Sequence, residues 1–430
     1  MRRAYLSLVM TIGFALGRLA AQEMPVEAVR KLYQDAIAAY EKKDYAAYLQ
    51  RIETVAEQRP AHPVLLRRLA SAYALNARPA DAARVLGQMA SLSIYHNTAD
   101  DPDFTAVRDD PSVKLAVRDL EAVHTRRIGS SEIAWIIPDR MFIPEGVAYD
   151  PVSREFFVSS QYRRKIVRID RSGGVQDFVT SGRDGLWMVF GLAVDPARRL
   201  LWAVSTAEPV MERFTKADEN ATGLFAFELS SGKLAHRYEL SERSAAHRFD
   251  DVTVSTNGRV FVSDSGSGAI YTLALAGPSL ELFVPPGTIQ GPNGMTTTPD
   301  GRVLYVSDYA GFIFRVDTAT RAASRLAAPP GAALYGIDGL AWHNGSLLGV
   351  QNGIEPSRVL RLDLSADGSR ITAVRIVDMN HPRVAEPTLG VVVGGAFYYV
   401  ANSFGGVLRK PNAVLEEQPL AEPVILRLGL

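Results

Sequence analysis

One pair of apolar segments recurs six times after residue 127. Each pair has a short inner run, followed about ten residues later by a run rich in aromatic residues and valine. The inner runs are Val147–Tyr149, Gly191–Asp195, Val252–Ser255, Met295–Thr298, Leu340–His343 and Leu389–Val393. A period in the forties with several short strands per unit is typical of a β-propeller. The sequence therefore predicts a mainly β fold, a six-bladed β-propeller, preceded by an N-terminal α-helical repeat domain.

The two ends of the propeller region are predicted to share the last blade. The sixth unit lacks a nearby third strand, and its best candidate is Val424–Leu428, which repeats the pattern of Val359–Leu362. Residues 403–422 then form an insertion. Since a ring must close without leaving an open strand edge, we expect Glu132–Ile137 to supply the missing outer strand.

Helical spacing of apolar residues marks the segment before the propeller. Asp44-Tyr45-Ala46 and Arg78-Pro79-Ala80 match at an offset of 34 residues, which is the length of a tetratricopeptide repeat. We predict a tetratricopeptide-like domain over residues 22–127 and the propeller over 128–430. The repeats could bind a protein partner, or they could serve only to pack against the propeller.

The N-terminus resembles a secretory signal peptide. Arg2 and Arg3 precede an apolar run from Tyr5 to Leu16, and the small residues Ala20 and Ala21 follow. Residues 1–21 are therefore predicted to be removed, and the protein to be periplasmic or secreted. An anchor that is never cut is the alternative.

Composition excludes several classes of function. Lys plus Arg and Asp plus Glu number 47 each, so the net charge is zero and no basic surface suggests nucleic-acid binding. The absence of cysteine excludes disulfides and thiolate metal sites. No segment after the signal peptide is long and apolar enough to span a membrane.

The starts of the six inner strands should meet around one mouth of the central channel. The residues at those positions are Glu145, Phe190-Gly191, Asp250-Asp251, Asn293, Asp338 and Glu386–Thr388. Carboxylates crowded in a buried funnel repel one another, so either some are protonated or a cation lies among them. A set of oxygen donors favours a hard cation such as calcium, magnesium or manganese.

Four short motifs carry a family resemblance. They are Pro144-Glu145-Gly146, Arg248-Phe249-Asp250-Asp251, Gly291-Pro292-Asn293-Gly294 and Ile337-Asp338-Gly339. In this order they resemble the gluconolactonase or regucalcin family of six-bladed, calcium-dependent hydrolases, over roughly Ile133–Leu430. The resemblance implies that Glu145, Asn293 and Asp338 bind the metal. Asp250 replaces the asparagine of the family as a fourth ligand or substrate contact, and Arg248 matches its substrate-binding arginine.

The predicted function is a metal-dependent hydrolase of the lactonase type acting on a small lactone or ester. The catalytic residues would be Asp338 and Asp250, and the substrate-binding residues Arg248 and Asp251. The cofactor would be a divalent metal, with calcium first and magnesium, manganese or zinc as alternatives. A sugar-acid or phosphotriester hydrolase would use the same site and differ only in substrate.

Two simpler interpretations remain open. Asn293-Gly294 and Asp338-Gly339 are also favoured turn sequences, and for either pair alone a turn is the simpler explanation. The propeller could also be a non-catalytic scaffold that binds a protein or a small ligand. His247 and His343 are candidate proton carriers, although a hydrogen-bonded structural role fits both.

Overall fold

A computed structural model describes residues 24–240, 243, 247–273, 277, 279–410 and 420–430. The predicted signal peptide lies outside these residues, so the periplasmic or secreted location stays a prediction. No helix in the described part of the chain is both long and apolar enough to cross a membrane. The fold is the predicted one, a six-bladed propeller with helices before it.

Within the described residues, five α-helices precede the first strand, and we call them together the helical module. They are α1 (Val26–Glu41), α2 (Tyr45–Gln58), α3 (Pro63–Leu75), α4 (Pro79–Ser91) and α5 (Pro111–Thr125). The two matching sequences, Asp44-Tyr45-Ala46 and Arg78-Pro79-Ala80, lie at the starts of α2 and α4. Asp44 caps α2 by accepting a hydrogen bond from Ala47 N. Whether these helices are tetratricopeptide repeats with a protein partner stays a prediction.

In the part of the chain that the structure describes, twenty-four strands form six four-stranded antiparallel sheets. Blade 1 contains β2 (Pro144–Asp150), β3 (Glu155–Ser160), β4 (Lys165–Ile169) and β5 (Val175–Val179); blade 2 contains β6 (Met188–Asp195), β7 (Leu200–Thr206), β8 (Thr222–Glu228) and β9 (Leu234–Glu239); blade 3 contains β10 (Phe249–Val254), β11 (Val260–Asp264), β12 (Ala269–Leu273) and β13 (Glu281–Val284). Blade 4 contains β14 (Pro292–Thr297), β15 (Val303–Asp308), β16 (Phe312–Asp317) and β17 (Ala323–Arg325); blade 5 contains β18 (Ile337–His343), β19 (Ser346–Gln351), β20 (Arg358–Leu364) and β21 (Ile371–Met379).

The sixth blade is built from both ends of the propeller region, as predicted. It contains β22 (Gly390–Val393), β23 (Ala396–Val400), β24 (Val424–Gly429) and, as its outer strand, β1 (Glu132–Ile136). Between β23 and β24 lies the short helix α6 (Gly405–Leu408). The predicted third and outer strands of this blade are therefore confirmed.

Small residues let neighbouring inner strands approach one another closely around the channel. A Cβ atom on Gly339 of blade 5 would lie 2.6 Å from the carbonyl oxygen of Thr388 in blade 6. One on Gly146 of blade 1 would lie 2.6 Å from the carbonyl oxygen of Phe190 in blade 2. Since real Cβ atoms do not come this close to backbone, these positions require glycine.

The helical module packs against blade 5. Ala333 and Ile354 of the propeller are buried in the hydrophobic core of the helices. The guanidinium of Arg358, at the start of β20, donates to the carbonyl oxygens of Leu92 and Ser93 at 2.9 Å each. The module therefore shares a core and buried hydrogen bonds with one blade.

Candidate functional site

The four predicted ligands and Arg248 line one cavity of about 360 Å³ at the channel mouth. Its lining is mostly polar and contains no Ala, Val, Leu, Ile, Met, Phe or Trp side chain. The lining residues are Glu145, Gln161, Arg248, Asp250, Ser265, Gly291, Asn293, Tyr309, Asp338, Asn352, Glu386, Thr388, Ser403, Gly405, Gly406 and Arg409.

Antiparallel pairing explains which residues reach this cavity. The start of each inner strand lies beside the end of the second strand, as in the pairs Pro144 with Ser160 and Ile337 with Gln351. The residue after the second strand therefore also lies at the mouth. In four blades this residue is polar and lines the cavity: Gln161, Ser265, Tyr309 and Asn352.

Two of the buried carboxylates are held in place by side-chain amides. Gln161 Nε2 donates to Glu145 Oε2 at 2.6 Å, and Ser403 Oγ donates to the same oxygen at 3.3 Å. Asn352 Nδ2 donates to Asp338 Oδ2 at 2.6 Å. No described residue donates a hydrogen bond to the other oxygen of Glu145 or of Asp338. Each carboxylate is thus fixed through one oxygen and keeps the second available.

Asp250 is fixed by charge. Arg248 Nε lies 2.9 Å from Asp250 Oδ1, an ion pair that lacks the alignment of a hydrogen bond. Asp250 Oδ2 is buried and forms no hydrogen bond of good distance and angle with a described residue, although the Ser265 hydroxyl is near enough to lower the pKa of Asp250. A buried oxygen without a partner is costly, so this atom suggests that a further group occupies the site.

A second arginine lies beside the first. Arg409 donates to Glu208 through Nε at 2.8 Å and to Gln161 Oε1 through Nη2 at 2.8 Å. Arg248 and Arg409 both lie over the ring of Phe190, at 5.1 and 5.9 Å from its centre. The cationic side of the cavity is therefore built on a buried aromatic ring.

The buried carboxyl groups on the acidic side of the cavity have raised pKa values. Burial, and then the charge of Asp338, raise the pKa of Glu145 well above its usual range. Burial and the charge of Asp250 raise the pKa of Asp338 to about 7. Burial also raises the pKa of Asp250, although Arg248 acts in the opposite direction. These side chains disfavour their own ionised forms unless a positive charge is added.

The chemistry of this donor set fits a hard divalent cation. Three carboxylates and the amide of Asn293 offer only oxygen ligands, which calcium and magnesium prefer. Among the described residues, no three Asp, Glu or His side chains are arranged to hold an ion by themselves. Binding would therefore need Asn293 or water as additional ligands, or a small movement of the carboxylates.

Asp251, a predicted substrate contact, lies away from this cavity. Its carboxylate accepts hydrogen bonds from Val252 N and Met295 N, each at 2.8 Å. Asp251 occupies the position that is glycine in blades 1, 4 and 5, and it links blade 3 to blade 4. We therefore do not include it in the proposed site.

Replacing Asp251 with asparagine tests this structural role. An amide nitrogen would face one of the two backbone N–H groups, so we expect the free energy of unfolding to fall by about 1–3 kcal/mol. Cation affinity measured by calorimetry should stay within about twofold of the parent protein, because the side chain does not line the cavity. A large loss of cation affinity in this variant, with unchanged stability in urea, would instead show that Asp251 belongs to the binding site.

His247 has the structural role that was the simpler expectation. Its Nδ1 lies 2.5 Å from Oδ2 of the buried Asp264, and it does not line the cavity.

Sequence analysis did not identify four residues in or beside the cavity, namely Glu208, Gln161, Asn352 and Arg409. The hairpin register could have identified Gln161 and Asn352, whereas no periodic signal marks Arg409, which follows α6 in the insertion of blade 6.

Residues 143–390 match the sequence profile described as the SMP-30/Gluconolactonase/LRE-like region. The matched region contains Glu145, Asp250, Asn293 and Asp338, and it excludes the helical module and Arg409. No protein with a curated function matches the sequence of this chain.

Solved structures with similar folds have low sequence identity to this chain. A calcium-binding regucalcin from Agrobacterium tumefaciens is 19% identical, with a TM-score of 0.48, covering 69% of this chain and 94% of its own. A gluconolactonase from Xanthomonas campestris is 16% identical, with a TM-score of 0.47 and coverages of 70% and 91%. A virginiamycin B lyase from Staphylococcus aureus is 15% identical, with a TM-score of 0.45 and coverages of 68% and 83%. A gluconolactonase and a lyase are similar to this chain at the same level, so this similarity does not indicate which activity the chain has.

Proposed function

Because the chain belongs to the SMP-30/Gluconolactonase/LRE-like family, we propose that it is a metal-dependent hydrolase of the lactonase type. The observation that carries this proposal is the meeting of Glu145, Asp250, Asn293 and Asp338 in one cavity. These residues come from four different blades, so a purely local turn preference does not account for their convergence.

The cavity wall indicates the kind of substrate. Its side chains are carboxylates, amides, hydroxyls and two arginines, together with glycines and the ring of Tyr309. A long acyl chain would find little apolar surface here beyond the ring of Tyr309, whereas hydroxyl groups would find hydrogen-bond partners. We therefore propose a small, hydrophilic lactone or ester as the substrate.

Each residue has a role in this scheme. Glu145, Asp250, Asn293 and Asp338 would hold the cation, with calcium as the first candidate. When bound, such an ion supplies a Lewis acid that polarises the lactone carbonyl and stabilises the developing oxyanion. Asp338 Oδ1, to which no described residue donates a hydrogen bond, would accept the proton of the attacking water. Arg248 would orient a polar or anionic part of the substrate.

An assay of purified protein on a panel of lactones tests the proposal. We expect acid release from small hydroxylated lactones in the presence of calcium, magnesium, manganese or zinc, and loss of that activity after chelation. A lactone with a long acyl chain should react more slowly, since the cavity offers it little apolar wall. A pH-indicator assay measures both rates.

The same assay separates this proposal from a scaffold function. Binding of a cation without hydrolysis of any lactone or ester in the panel would favour a non-catalytic ligand-binding propeller. Absence of both cation binding and hydrolysis would remove the metal site as well.

A further inference from the structure

One loop connects the helical module to the candidate site. Residues 352–357, between β19 and β20, form this segment, which we call the Asn352 loop. Its first residue lines the cavity, and its third residue, Ile354, is buried in the core of the helices. The backbone N–H of Tyr95, after α4, donates to the carbonyl oxygen of Glu355 at 2.6 Å. The loop is therefore held by the helices at one end and reaches the site at the other.

Asn352 uses its whole side chain to hold Asp338. Its Nδ2 donates to Asp338 Oδ2 at 2.6 Å and to the carbonyl oxygen of Pro387 at 2.9 Å. Its Oδ1 accepts a hydrogen bond from the hydroxyl of Tyr309 at 2.8 Å. Only this orientation of the amide works, because a carboxylate and a carbonyl both need donors.

Close packing fixes the position of the loop. A Cβ atom on Gly353 would lie 2.5 Å from Gly336 Cα and 2.9 Å from the hydroxyl oxygen of Tyr309. The N–H groups of Asn352 and Gly353 both donate to the carbonyl oxygen of Gly336, at 3.0 and 3.1 Å. The loop backbone thus has little room to move relative to the wall of the cavity.

A second set of contacts leads back to the helices. The ring of Tyr309 packs against Tyr335, with 5.8 Å between ring centres. Tyr335 in turn lies 4.1 Å from the ring of His62, the residue that precedes α3. The helical module therefore contacts the Asn352 loop directly, and it reaches Tyr309 through Tyr335.

We propose that Asn352 is a positioning residue for Asp338, and that the helical module fixes Asn352 by holding its loop. The hydrogen bond to Oδ2 orients the carboxylate so that Oδ1 remains available in the cavity. This inference rests on the proposed metal site and adds a function for a module that lies outside the matched family region. Outer partners that orient a ligand typically affect metal affinity or activity by about 10–100-fold.

Calcium affinity of the Asn352→Leu variant tests the first part. Leucine has a similar size and no donor, so we expect calcium binding in calorimetry to weaken by about 10–100-fold. Tyr309→Phe, which removes only the hydroxyl, should show a smaller loss. Tyr305→Phe is the matched control, because its hydroxyl also donates from blade 4 to an oxygen of blade 5, the carbonyl of Gly368, outside the cavity. Affinity of Asn352→Leu within twofold of the parent would overturn the inference.

Ile354→Ala tests the role of the helices. This change removes apolar contact with the helical core at a residue that does not itself line the cavity, so we expect several-fold weaker calcium binding and a raised KM. Ile270→Ala, an equal truncation in the core of blade 3, should lower only stability. Equal calcium affinities for the two variants would show that the helices do not act on the site.

A crystal structure of metal-free Asn352→Leu separates this inference from the proposed function. We expect the Asp338 carboxylate to rotate away from its position in the parent protein, whether or not the protein binds a cation. An unchanged Asp338 would refute the positioning role. A parent protein that binds no cation would instead count against the proposed function.

Discussion

Asp338→Asn is expected to lower turnover by about 10²–10⁴-fold, the range typical of a lost general base. The amide can still accept a hydrogen bond from Asn352, so the geometry at Oδ2 should survive. What is lost is a negative charge in the cavity and the oxygen that would take a proton from water. Steady-state kinetics on the best lactone substrate measure the effect, and calcium affinity should fall in parallel.

The fold should tolerate this change. Burial and the charge of Asp250 raise the pKa of Asp338, so the ionised side chain destabilises the metal-free protein. We therefore expect the melting temperature of metal-free Asp338→Asn to equal or exceed that of the parent at pH 8. Asp195→Asn is the matched control, because Asp195 is also buried but pairs with Arg198 at the far end of β6. It should lose stability and keep turnover, and full activity of Asp338→Asn would exclude Asp338 as the base.

Calcium is expected to change how stability depends on pH. The pKa of Asp338 is about 7 in the folded protein, compared with an ordinary value of 3.8. Between these values this carboxyl binds more protons in the folded than in the unfolded state, so its contribution to the free energy of unfolding of the metal-free protein falls as pH rises. A bound cation stabilises the ionised carboxylates, and at 100 times its Kd it adds about 2.7 kcal/mol. The gain should therefore be larger at pH 8 than at pH 5.

Urea unfolding with calcium or with a chelator measures this difference. Other groups titrate in the same range, among them His62, whose pKa burial lowers to about 4 and whose effect on stability has the opposite sign. The difference between the two conditions cancels such groups, because they lie outside the cavity. Asp338→Asn should reduce the pH dependence of the calcium effect. No calcium effect at any pH, repeated with magnesium, manganese and zinc, would contradict a metal site.

The blades could be predicted from sequence because buried strands leave a strong pattern of apolar residues. Inner strands such as β6 and second strands such as β7 are buried along most of their length. Outer strands are different: Leu234–Glu239 is mostly exposed and reads as a polar segment. Only tertiary pairing with β8 makes it a strand, so strands β9, β17 and β21 were not anticipated.

The candidate site was predictable to the extent that topology determines it. Ring order alone brought Glu145, Asp250, Asn293 and Asp338 to one cavity. It could not show that Asp251, one residue from Asp250, points to the backbone of the next blade. It also could not place Arg409, because the path of an insertion depends on contacts that no period encodes.

The shared sixth blade ties the site to the closure of the ring. β24 (Val424–Gly429) pairs with β1 from the start of the propeller. Thr388 of blade 6 donates to the backbone oxygen of Glu145 in blade 1 at 2.7 Å, so the cavity depends on that same junction. The two ends of the propeller region must therefore pair before the acidic side chains are gathered in one cavity. A chain truncated before β24 would lack this junction and, with it, the closed wall of the cavity.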